Sequence, residues 1–91
     1  MFWFKRLRWR LRTIRAVRAQ VQGGQLPEVR ETFGRLRGEG FDERQVYRLL
    51  AAAYEAEVAA MILEDRVWDR SRYVSNLHAL PARPLVSFRD I

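Results

Sequence analysis

The chain contains no cysteine, one lysine and one histidine. Without thiols it has neither a disulfide framework nor a thiolate metal site, and this composition fits a reducing compartment, so the cytoplasm is the expected location. Long apolar runs are also missing: arginines interrupt every turn up to Arg18. That excludes a secretory signal, and it excludes a spanning helix, which needs about 20 mostly apolar residues. The arginine-rich, acid-free start shares its composition with organelle transit peptides but is poor in serine. With only 3 prolines and 5 glycines, and 48% hydrophobic residues, the chain is too apolar to be disordered throughout. No alternating pattern is long enough to build a sheet. Ninety-one residues allow one domain with a single small core, which a partner or a second copy would help to stabilise.

Acidic residues are absent before Glu28, whereas Lys5, Arg6, Arg8, Arg10, Arg12, Arg15 and Arg18 all precede it. The formal charge of +6 therefore sits at one end, and residues 28–91 are almost neutral. A basic segment on a neutral body points to an anionic partner. The near-exclusive use of arginine suits bidentate contact with phosphate or carboxylate, although genome composition or a hot habitat produces the same bias.

The apolar pattern predicts an all-α fold: a small bundle of four helices with a long basic amphipathic N-terminal helix and a short extended C-terminal tail. Leu7, Leu11, Ile14, Val17 and Val21 recur at helical spacing with arginines on both flanks, and Gly23 and Gly24 stop the helix. Arg18 projects into the aliphatic row, so it must snorkel or meet an acid. A second helix starts at Pro27 and ends before Gly38 and Gly40. The third, from Glu43 to about Glu64, opens with Asp42 and Gln45 as a capping box. It is apolar around more than half its circumference, which makes it the central element. Asp69 caps a fourth helix, with Trp68 and Tyr73 at the staple positions, and Pro81 ends it. The chain thus divides into a basic helical arm (1–24), a bundle body (25–81) and a tail (82–91).

Within residues 34–81 the order Gly40, Phe41, Asp42, Gln45, Val46, Leu49, Glu57, Asp69, Tyr73, Leu77, Leu80, Pro81 resembles a family of small helical bacterial domains of unknown function. The resemblance implies a bacterial origin and an all-helical fold. It supplies no activity, ligand or catalytic residue.

Material for catalysis is thin. His78 is the only histidine, no Glu-x-x-His pair exists for a bundle metal site, and the glycine pairs lack the spacing and lysine of a phosphate loop. The expectation is therefore a protein that is not an enzyme, with no cofactor, metal or small-molecule substrate. Lys5, Arg6, Arg8, Arg10, Arg12 and Arg15 are the candidate anion-binding residues, and Phe2, Trp3 and Trp9 are candidates for base stacking or membrane contact. Glu57 and Glu64 project into the apolar arc of the third helix, where a carboxylate needs a partner, and Arg18 is the candidate to form a buried ion pair with one of them. Three readings of the first helix follow. It binds nucleic acid, RNA foremost; or it attaches the protein to an anionic membrane surface, at the inner face of a membrane; or its apolar row is consumed by helix packing or a homodimer in a structural or adaptor protein.

Overall fold

Proline at the first position of a helix loses no hydrogen bond, and a carboxylate capping box satisfies two otherwise orphaned amides; both devices set helix starts in this chain. In the computed structural model, which describes residues 2–24 and 26–82 and the side chains from Leu11 onward, the elements are α1 (Phe2–Gly23), α2 (Pro27–Gly38), α3 (Glu43–Leu63) and α4 (Arg70–Ala79). No strand occurs among the described residues. The tail from 83 onward lies outside them.

Local chemistry accounts for each boundary. The α2 helix ends in a Schellman turn. Gly40 takes a positive φ of 103°, its N–H donates to Arg37 O at 3.1 Å, and the Phe41 N–H donates to Leu36 O at 3.2 Å. At the start of α3, Asp42 Oδ1 accepts the Gln45 N–H at 2.8 Å while Gln45 Oε1 accepts the Asp42 N–H at 2.9 Å. The end of α3 is less expected: Asp65, not glycine, adopts φ 51°, and the Arg66 N–H closes back on Met61 O at 3.2 Å. Asp69 caps α4 through the Arg72 N–H at 3.2 Å, and the Trp68 and Tyr73 rings meet edge-on at 5.2 Å, as a staple requires. Leu80 is extended, as suits a residue before proline.

Glycine placement gives a pair of opposite predictions. Gly34 lies exposed within α2, and a Cβ there would meet nothing within 4 Å, so Gly34→Ala should raise stability by about 1 kcal/mol through helix propensity. Gly40→Ala should lower it by about 1–2 kcal/mol, because its backbone is left-handed. Chemical denaturation of both variants checks the pair; equal shifts would contradict this account of the α2 terminus.

The α3 helix packs against α1, α2 and α4, and α2 also touches α1 and α4. The core joins Val17 of α1, Val29 and Leu36 of α2, Val46, Leu50 and Ala53 of α3, and Tyr73 and Leu77 of α4. Alanines 51, 53, 56, 59 and 60 are all buried, which lets neighbouring helices approach α3 closely from several sides. Being enclosed, α3 buries Glu55 and Glu57 although these residues point in nearly opposite directions around it. Since Val17 is fully buried, the basic segment and the body share one core from Thr13 onward.

Candidate functional site

The face that α1 buries is offset from the centre of its aliphatic row, toward Thr13 and Val17. Thr13 and Val17 are buried, and the next turn supplies Gln20, whose Oε1 accepts the Tyr73 hydroxyl at 2.8 Å. That contact ties α1 to α4. Burial pushes the Tyr73 phenol well above its ordinary pKa, so it stays a hydrogen-bond donor. Ile14 and Val21 are half-buried beside this line, while Leu11 is 53% exposed. The rotation has a physical reason in Arg18. Centring the aliphatic row on the core would bury a guanidinium, at a cost of several kcal/mol, whereas half-exposing one leucine costs about 1 kcal/mol. Turned outward, Arg18 lies over the Tyr47 ring, its Cζ 4.9 Å from the centroid.

The expected pairing of Arg18 with Glu57 or Glu64 is thereby corrected. Glu57 is fully buried, and Arg72 engages it with Nε to Oε2 at 2.8 Å and Nη2 to Oε1 at 2.9 Å. The Asp69 N–H adds a third bond to Oε1 at 2.7 Å. Hydrogen bonding to Glu57 raises the Arg72 pKa further above its usual value. Glu64 is not in the core: 40% exposed at the end of α3, it pairs with Arg66 at 2.9 Å and lies 3.6 Å from Arg72. Arg72 wins over Arg18 because α4 starts beside the C-terminal half of α3, so the cap residue and the arginine three positions later reach one carboxylate together.

Other arginines of the body are engaged in holding helix ends. Arg30 donates to Val21 O at 3.1 Å and Gln22 O at 3.2 Å, the unpaired carbonyls that end α1. Arg35 donates to Leu77 O at 3.1 Å at the end of α4 and pairs with Glu39 at 3.0 Å. Both follow from the negative end of the helix dipole. Arg37 donates to Phe41 O at 3.3 Å, and Arg70 pairs with Glu28 at 2.8 Å. Glu28 is held below the usual carboxylate range, chiefly by the backbone N–H at its own helix start and then by Arg70.

A different set of arginines surrounds an open cleft of about 640 Å³ between α1 and α3. Its lining is Leu11, Ile14 and Arg18 from α1 with Glu43, Arg44, Tyr47 and Arg48 from α3. Arg12 and Arg15 are exposed on α1. Of the sequence candidates, then, Arg12, Arg15 and Arg18 share the solvent side of α1. The side chains of Phe2, Trp3, Lys5, Arg6, Arg8, Trp9 and Arg10 lie outside the described residues. Arg44 and Arg48 are not among the sequence candidates, because only the packing of α1 against α3 brings them beside it.

His78 is exposed, and no group of three or more His, Asp or Glu that could hold a metal ion occurs among the described residues. No helix among the described residues is long and apolar enough to cross a membrane. No protein-family model, curated protein or solved structure matches this chain. The likeness seen in residues 34–81 therefore rests on those residues alone.

Proposed function

We propose that this protein is a non-enzymatic binding module that engages an anionic macromolecule, RNA foremost, through arginines of α1 and the facing turn of α3. The observation that carries the reading is a division of labour among the arginines. Arg30, Arg35, Arg37, Arg66, Arg70 and Arg72 hold helix ends or acids. Arg12 and Arg15 instead stand in solvent, and Arg18, Arg44 and Arg48 converge on one cleft. Like charges gathered on one surface repel one another, which an anionic partner relieves. In this reading Lys5, Arg6, Arg8 and Arg10 add to the positive charge of the N-terminal segment. Closely spaced phosphates complement it.

Membrane attachment has less support, because insertion needs the aliphatic row of α1 to be free. Val17 is fully buried, Ile14 and Val21 pack on the core, and Leu11 alone of the row's described members is exposed. The adaptor reading explains that packing but gives no role to the gathered arginines.

Gel-shift with structured and single-stranded RNA, run beside co-sedimentation with phosphatidylserine vesicles, separates these readings. The expected result is RNA binding at low salt that weakens steeply as salt rises, and weak sedimentation. Vesicle binding without RNA binding would favour membrane attachment. Indifference to both would favour the adaptor.

A further inference from the structure

We propose that the cleft between α1 and α3 is a base-stacking site for single-stranded nucleic acid, with the Arg18 guanidinium as its platform. This rests on the reading above that the partner is nucleic acid, and it adds which form of nucleic acid and which residue tells the forms apart.

Three features of the cleft converge. Its volume, about 640 Å³, lies within the range of roughly 300–1,000 Å³ typical of small-ligand sites. Its lining mixes apolar and cationic groups: Leu11 and Ile14 on one side, Arg44 and Arg48 on the other. A solvated charged face that bound only phosphate would need no apolar surface. Third, Arg18 is held in position by Tyr47, with Cζ 4.9 Å from the ring centroid. Tyr47 itself is 6% exposed and has Phe33 at 5.3 Å, so it has little face left for a ligand. Arg18 is exposed, and it is the flat group that remains open.

A guanidinium plane stacks on bases as an aromatic ring does and brings a positive charge with it. Being already placed over Tyr47, it loses less freedom on binding than an arginine in open solvent. Arg44 and Arg48 are one turn apart on α3 and so are neighbours along its surface, where they meet successive phosphates of one strand. Glu43, on the same lining, disfavours phosphate at its own position and offers an acceptor to a base amino group or ribose hydroxyl. A duplex keeps its base faces stacked inside, so it would use the arginines and leave the apolar lining empty. An oligoglutamate peptide would use the charge but presents no flat face to stack on the guanidinium.

The test is fluorescence anisotropy with labelled oligouridine RNA, an RNA duplex of equal length and an oligoglutamate peptide, for the wild type, Arg18→Lys and Arg44→Gln/Arg48→Gln. Lysine keeps the charge and removes the plane. Oligouridine should bind more tightly than the duplex. Arg18→Lys should weaken oligouridine binding about tenfold and duplex binding by a clearly smaller factor, with the thermal midpoint within a few degrees of the wild type. The double variant should weaken both RNAs. If Arg18→Lys binds oligouridine as the wild type does, or if the duplex binds equally well, the stacking site is refuted while phosphate contact by the arginines stands. If neither RNA binds, or oligoglutamate binds in their place, the nucleic-acid reading itself fails.

Discussion

Glu57→Ala is expected to lower the free energy of unfolding by about 3–5 kcal/mol, measured by urea denaturation. A domain of this size has roughly 5–14 kcal/mol in all, so the loss takes away between about a fifth of the stability and the whole of it. The reason is geometric. The carboxylate is fully buried and accepts three hydrogen bonds, two from Arg72 and one from the Asp69 amide. It thereby fixes the start of α4 against the C-terminal half of α3, and the Trp68, Tyr54 and Tyr73 rings pack around the same junction. Removing it leaves the Asp69 amide without its acceptor and opens a cavity where the acid stood. Arg72→Met should be at least as damaging, since it leaves an ionised group in the core with one backbone donor. Changing both together, Glu57→Leu with Arg72→Met, should recover most of the loss, because apolar groups of similar volume replace a buried ion pair with little net penalty. Additive losses in the double variant would show that Glu57 and Arg72 act separately.

Arg12→Gln/Arg15→Gln/Arg48→Gln is expected to weaken RNA binding by about 10²-fold or more at low salt while the thermal midpoint stays within a few degrees of the wild type. All three side chains are exposed, and glutamine retains helix propensity, so the fold loses little. Binding loses much, because each phosphate contact releases counterions, and removing one lowers the salt slope by about 1. Arg30→Gln/Arg35→Gln/Arg37→Gln, which also removes three charges, serves as the charge-matched comparison: those residues donate to carbonyls at or beside the ends of α1, α4 and α2, so stability should fall and RNA binding should change less. If both sets weaken binding equally, net charge alone drives association and the α1–α3 surface has no special part in it.

Several structural decisions are local and so legible in the residues. Asp42 with Gln45, Asp69 with its flanking Trp68 and Tyr73, Gly40 and Pro81 each act within a turn of where they stand, and each marks its helix boundary as read. The central position of α3 is legible because a helix apolar over so wide an arc has to be enclosed. The need of Glu57 for a partner is legible for the same reason. The partner's identity is not, because it lies fifteen residues away across a turn whose path depends on Asp65 adopting a left-handed backbone, a conformation the sequence marks with no glycine. How deeply each member of the α1 row is buried is not legible either, on a similar ground. The row from Leu11 to Val21 defines an amphipathic helix, but the depth to which each member is buried depends on where Arg18 finds room, and that is set by Tyr47 on another helix. The cleft was invisible in the sequence because half of it belongs to each of two helices.

The most direct measurement is the affinity for single-stranded RNA as a function of salt, for the wild type and the Arg12→Gln/Arg15→Gln/Arg48→Gln variant side by side. The account predicts a steep inverse dependence for the wild type and a slope lower by about 2–3 for the variant, with weaker binding at every salt concentration. Identical slopes, or wild-type binding indifferent to salt, would contradict it.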